Sequence, residues 1–131
     1  NALDGAPGIY SARYASDSEG NASDADNNTK LLSKMLGVPL AKRTARFVCA
    51  IAVAKIVDRG DTPEAHLFEG TCEGQIVASP RGKNGFGYDS LFMPEGHELT
   101  FGELEAEAKN RISHRARALA KLVEWLRNTG L

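Results

Sequence analysis

A β-branched, apolar run in the middle of the chain, with the strand-like run that follows it, restricts its fold more than anything else. The stretch 46–57 carries Phe47, Val48, Ile51, Val53, Ile56 and Val57. A second run, 66–79, follows a turn signalled by Gly60 and Pro63. Branched and aromatic side chains fit a pleated surface better than a helix, so both runs predict strands. A short turn between them predicts an antiparallel pair. The inner part of the first run is apolar on both faces, which predicts a central strand covered on both sides. Gly70 and Gly74 in the second run predict bulges or bends.

Helical patterns lie on either side. Ser23 or Asp24 can cap a helix in which Leu31, Leu32, Met35 and Leu36 recur on one face, and Gly37 and Pro39 end it. Tyr88 to Met93 predicts a third short strand stopped by Pro94. Thr100-Phe101-Gly102-Glu103 has capping-box spacing and predicts a helix reaching about Asn110. Ser113 caps a last helix through Arg127, with Leu119, Leu122, Val123 and Leu126 toward the core and Gly130 just beyond. Residues 1–22 read as loops around one helical turn near Tyr10 to Tyr14. The sum is one α/β domain over residues 1–131: a mostly antiparallel sheet flanked by helices.

Composition narrows the function classes. A formal net charge of −1 supplies no field for a nucleic-acid or anionic-membrane partner. No apolar run approaches the roughly 18 residues of a membrane span. The two cysteines, Cys49 and Cys72, both fall in strand-like stretches, which predicts reduced, buried thiols in a cytoplasmic protein. His66 and His97 stand alone, without partners at metal-ligand spacing. The acids Asp17, Glu19, Asp24 and Asp26 are explained by capping and solvation. No Walker A spacing and no nucleophile elbow is present.

Two features carry chemistry. The first is the loop Gly85-Phe86-Gly87-Tyr88-Asp89. Its glycines permit close backbone approach to a ligand, and Phe86 and Tyr88 are placed so that one ring can face out while the other packs inward. A base stacked on such a ring gains roughly 1–3 kcal/mol whatever its identity. Asp89 can accept a hydrogen bond from a base or ribose. The competing reading is a glycine-rich turn whose aromatics merely cover the core.

The second feature is basic. Lys109, Arg111, Arg115, Arg117, Lys121 and Arg127, with His114, face the single acid Glu124 in that segment. His114 and Arg115 stand at a helix N-terminus, where the dipole disfavours cations and where an anion or carbonyl oxygen is held well. The guanidinium fork suits adjacent acceptors on a purine edge. A solvated basic face is the rival explanation.

With these residues in hand, the chain resembles the inosine triphosphate pyrophosphatases, enzymes that hydrolyse non-standard purine nucleoside triphosphates. The resemblance rests on the loop, on Lys109, on Ser113-His114-Arg115 and on Gly5 to Tyr14. It extends to Asp26-Asn27-Asn28, Ala45-Arg46-Phe47 and Glu69-Gly70. It implies conversion of XTP, ITP and dITP to monophosphate and pyrophosphate with Mg²⁺, a homodimer, and an elongated mixed sheet with the nucleotide in a cleft between two lobes. It implies a substrate site of Phe86, Gly87, Tyr88, Asp89, Lys109, His114 and Arg115. Phe86 would stack on the purine, Lys109 reach the phosphate side, and His114 and Arg115 donate to the 6-keto oxygen.

Two departures stand out. Ser90 replaces the proline usual in the family. The family's Asp-Asp-Ser-Gly motif, which supplies the general base and part of the metal site, is not in this sequence. It is expected upstream of Asn1, so no catalytic or metal-binding residue is assigned within these 131 residues. The alternative function is a non-catalytic purine-nucleotide-binding or dimerisation module. An RNA-binding domain is a third reading, opposed by the −1 charge.

Overall fold

The computed structural model describes residues 1–18, 20–55, 60 and 64–129. Among the described residues three helices and three strands form in the order α1 (Asp24–Lys34), β1 (Thr44–Ala54), β2 (Ala65–Ile76), β3 (Phe92–Pro94), α2 (Ala106–Ile112) and α3 (His114–Thr129). Short 3-10 turns occupy Gly8–Arg13, Leu40–Lys42 and Asp89–Leu91. The strands make one sheet in the order β1-β2-β3, and β2 runs antiparallel to β3 with Gly74 opposite Pro94 and Ile76 opposite Phe92. The expected class, an α/β fold with an antiparallel sheet and flanking helices, is the one observed.

The chain divides into two compact units. One comprises Asn1–Arg46 with Glu73–Lys109, the other Phe47–Cys72 with Asn110–Leu131. The first buries Leu31, Met35, Ile76, Val77, Leu91, Phe92, Phe101 and Leu104. Phe92 and Phe101 meet there with ring centroids 5.3 Å apart. Ser23 caps α1 through its hydroxyl, which accepts from Asp26 N–H at 3.1 Å. At the other end of α1, Arg43 donates to Met35 O at 3.0 Å, satisfying a carbonyl the helix leaves open, and to Val38 O in the following turn at 2.9 Å.

In the second unit Gly70 lets β2 approach α3 closely. A Cβ at Gly70 would stand 2.1 Å from His114 O and 2.3 Å from Ala118 N. Lys121 and Arg117 reach back from α3 to Glu69 O and Thr71 O at 2.6 and 2.8 Å. Trp125 packs on His66 and Phe68, with centroids 4.6 and 5.6 Å away. Cys72 is buried and Cys49 half-buried, both as free thiols.

Several expectations are corrected. β1 lies at an edge of the sheet among the described residues, and its burial alternates, with Val48 53% exposed. Ile56, Val57 and most of the following turn lie outside the described residues, as do Glu19 and Gly130. Gly74 sits in regular register, where its missing side chain makes room for Phe92. Leu36 is 78% exposed because α1 ends at Lys34, before the periodic face reaches it.

On α3 the packed position is Ala118, with Leu122, Trp125 and Leu126 half-buried, while Leu119 and Val123 are exposed. The close approach at Gly70 rotates the contact stripe toward the smallest residue. Only half of the capping box at Thr100 forms: Glu103 accepts from Thr100 N–H at 3.1 Å, but the Thr100 hydroxyl donates to Arg81 O, the segment closes a turn, and the helix begins only at Ala106. The third strand starts at Phe92, not Tyr88, and includes Pro94.

Candidate functional site

The delay of that third strand creates the candidate site. Asp89 turns its carboxylate back over the loop, and Oδ2 accepts from Phe86 N–H at 3.0 Å. Leu91 N–H then bonds Tyr88 O at 2.9 Å, closing a 3-10 turn where a strand was expected. A side-chain acceptor in competition with the ladder won locally. Gly85 and Gly87 hold φ of 74° and 57°, the left-handed conformation that glycine adopts without steric penalty.

The same carboxylate oxygen receives Lys109 Nζ at 2.6 Å. Both partners are substantially buried, with side-chain exposures of 8% for Asp89 and 18% for Lys109. Lys109 Nζ also lies 5.1 Å from the centre of the Phe86 ring and 5.7 Å from that of Phe101. A desolvated cation at such a distance is attracted by the ring quadrupole. Phe86 itself remains 59% exposed.

Tyr88 faces inward. Its hydroxyl donates to Ser11 O, and burial pushes its pKa up to about 12, with Tyr14 and Asp24 adding to the rise. Gly87 is held by α1 through both of its backbone groups: its N–H donates to Asp24 Oδ2 at 2.9 Å, and its carbonyl accepts from Asn28 Nδ2 at 3.2 Å. Sequence reasoning places Asp24 in a solvated acidic cluster and leaves Asn28 without a role. The available signal was their four-residue spacing, which puts both on one helix face.

The loop's entry is braced too. Arg81 Nε bonds Glu103 Oε1 at 2.8 Å, and Asn84 Nδ2 bonds Leu104 O at 3.1 Å. The Thr100 N–H, with Arg81 assisting against desolvation, holds the Glu103 carboxyl below its ordinary range.

Of the expected site residues, Phe86, Gly87, Tyr88, Asp89 and Lys109 belong to one compact unit, where the structure brings them together. His114 and Arg115 belong to the other. His114 opens α3, half-buried and stacked on Phe47 at 4.9 Å between centroids with planes 16° apart. Arg115 is exposed on the first turn. Ser113 caps the helix as expected, its hydroxyl accepting from Ala116 N–H at 3.2 Å. Among the described residues no group of three or more His, Cys, Asp or Glu could hold a metal ion, and no helix is long and apolar enough to cross a membrane.

In class, this is an α/β fold that presents an exposed aromatic ring beside a buried lysine–aspartate pair. Comparison with known proteins gives that class its family. The chain belongs to the Ham1 family, whose model matches residues 1–125. It is 46% identical over 126 residues to a dITP/XTP pyrophosphatase of Halalkalibacterium halodurans, a match covering 96% of this chain and 61% of that protein. It is 51% identical over 124 residues to a dITP/XTP pyrophosphatase of Geobacillus kaustophilus, covering 95% and 57%. Among solved structures, the Staphylococcus aureus Ham1 protein superposes with a TM-score of 0.85 at 41% identity, over 98% of this chain and 62% of that one. The chain thus spans about three fifths of the length of these relatives. The resemblance read from the sequence holds.

Proposed function

We propose that this chain carries the base-recognition part of a pyrophosphatase that converts non-standard purine nucleoside triphosphates (ITP, dITP, XTP) to monophosphate and pyrophosphate. The relatives named dITP/XTP pyrophosphatases support the reaction class. The observation that carries the residue assignment is the exposed Phe86 ring, fixed at its backbone by Asp89 and flanked at 5.1 Å by Lys109.

In this reading Phe86 is the stacking platform, and Gly87, Tyr88 and Asp89 shape the pocket around it. Lys109 lies toward the phosphates. His114 and Arg115 donate to the 6-keto oxygen. A donor committed to that oxygen finds no acceptor on a 6-amino purine, and an unpaired buried donor costs about 1–3 kcal/mol. That difference disfavours ATP against ITP.

Hydrolysis breaks the α–β anhydride and needs an activated water and compensation for the charge of the leaving pyrophosphate. The described residues offer no cluster fit for Mg²⁺. We therefore assign neither metal ligand nor general base to this chain, and route no step through either. The working enzyme is proposed as a cytoplasmic homodimer.

The test is titration calorimetry of the purified chain with IMP and with AMP, alongside a pyrophosphate-release assay with ITP. IMP should bind more tightly than AMP. Phe86→Ala should weaken binding of both IMP and AMP tenfold or more, whereas Arg115→Ala should erase the preference for IMP. Pyrophosphate release by the 131-residue chain should be weak or absent. Binding untouched by both substitutions would overturn the assignment.

A further inference from the structure

Two sequence signatures, Gly5 to Tyr14 and Asp26-Asn27-Asn28, have no part in the site as proposed above. The structure gives them one. α1 works as a bracket with two neighbouring faces. On one face Asn27 accepts from Ala15 N–H at 2.8 Å and donates to Ala12 O at 3.1 Å, while Lys30 Nζ donates to Tyr14 O at 2.7 Å. These contacts fix the segment that contains Ser11, whose carbonyl receives the Tyr88 hydroxyl.

On the other face Asp24 and Asn28, one helical turn apart, take the N–H and the C=O of Gly87. Gly87 needs its left-handed φ of 57° to turn both groups toward the helix. Its absent side chain would meet nothing within 4 Å, so the glycine is there for backbone direction and not for space.

Asn28 supplies a second indication. Its Oδ1 is buried and has no hydrogen-bond partner among the described residues. Packing alone disfavours an amide that leaves one acceptor unsatisfied. The hydrogen bond from Nδ2 to the Gly87 carbonyl is what the residue provides in return.

We propose that Asp24 and Asn28 are positioning residues for the purine platform: by gripping the N–H and the C=O of Gly87 they hold the Phe86 ring outward at a fixed angle. The proposal rests on the nucleotide reading above. Its mechanism is preorganisation: a loop already in its binding conformation loses less freedom when the base arrives. Asp24 tolerates an amide in its place, since an amide oxygen also accepts from Gly87 N–H. Asp26 provides the control. It lies on the same first turn and its charge meets the same helix dipole, but the bond it makes to Ser23 uses its backbone N–H.

The experiment follows Gly87 amide exchange by NMR and IMP affinity by calorimetry in the full chain and four variants. Asp24→Ala and Asn28→Ala should raise Gly87 amide exchange tenfold or more and weaken IMP binding fivefold or more. Asp24→Asn should restore both, and Asp26→Ala should change neither. Exchange and affinity in Asp24→Ala matching those of Asp26→Ala would overturn the positioning role. If the unaltered chain fails to bind IMP, the nucleotide reading falls, and the exchange measurements still decide whether α1 grips the loop.

Discussion

Lys109 and Asp89, twenty residues apart in the chain, share one short hydrogen-bonded ion pair of 2.6 Å beneath the exposed Phe86 ring. Asp89 Oδ2 serves both the lysine and the Phe86 N–H, so charge, loop shape and ring position depend on a single oxygen. Breaking such a pair from one side leaves a buried charge without compensation.

Lys109→Met should therefore destabilise the fold by about 2–3 kcal/mol, the lower end for a buried pair because Lys109 keeps some solvent contact. Adding Asp89→Asn should recover part of the loss, since the amide oxygen still accepts from Phe86 N–H and no lone charge remains. Urea unfolding of the single and double variants measures both. A double variant no more stable than Lys109→Met would show that the charge is not the source.

The two loop glycines should respond differently to alanine. At Gly87 the new Cβ meets open space, and only the left-handed backbone is penalised, by about 1–2 kcal/mol. At Gly85 the Cβ would also stand 2.1 Å from Asp89 Oδ2, so the carboxylate must move off its partners. Gly85→Ala should cost about 1–3 kcal/mol more than Gly87→Ala. Equal unfolding midpoints for the two would argue against the close contact.

Gly70→Ala should be the most damaging glycine substitution in the second unit. Its Cβ would run into the backbone of α3 at His114 and Ala118, where no flexible side chain can yield. Overpacking of this kind costs about 1–3 kcal/mol and occasionally more. Trp125 reports on the same strand–helix contact through His66 and Phe68. Its fluorescence should shift toward that of a solvated indole at a lower urea concentration than in the unaltered chain.

Tyr88 should make the fold sensitive to alkali. The folded state keeps the phenolic proton to about pH 12, whereas the unfolded chain releases it near 10. Between those values the unfolded state binds fewer protons, so stability falls as pH rises through this window. Tyr88→Phe, measured by urea unfolding from pH 8 to 11.5 (about 1.5 units past the ordinary tyrosine value), should flatten that fall. It also removes the bond to Ser11, so the variant starts from a lower value at neutral pH.

The sequence by itself determined what depends on near neighbours. The first long strand follows from branched side chains, the cap at Ser113 and the start of α3 from a local hydroxyl, and the exposed aromatic loop from its flanking glycines. Each rests on backbone preferences or hydrogen bonds spanning a few residues, which a linear pattern records.

Tertiary structure alone decided the rest. That the Asp89 carboxylate is held by Lys109, twenty residues on, is a tertiary pairing, and that α3 packs through Ala118 and not Leu119 depends on the bare backbone of Gly70. The grip of Asp24 and Asn28 on Gly87 joins residues 63 and 59 positions apart. No local propensity encodes such a pairing. A polar side chain's nearest partner is set by which segments the hydrophobic core brings together, and that becomes known only when the chain is folded.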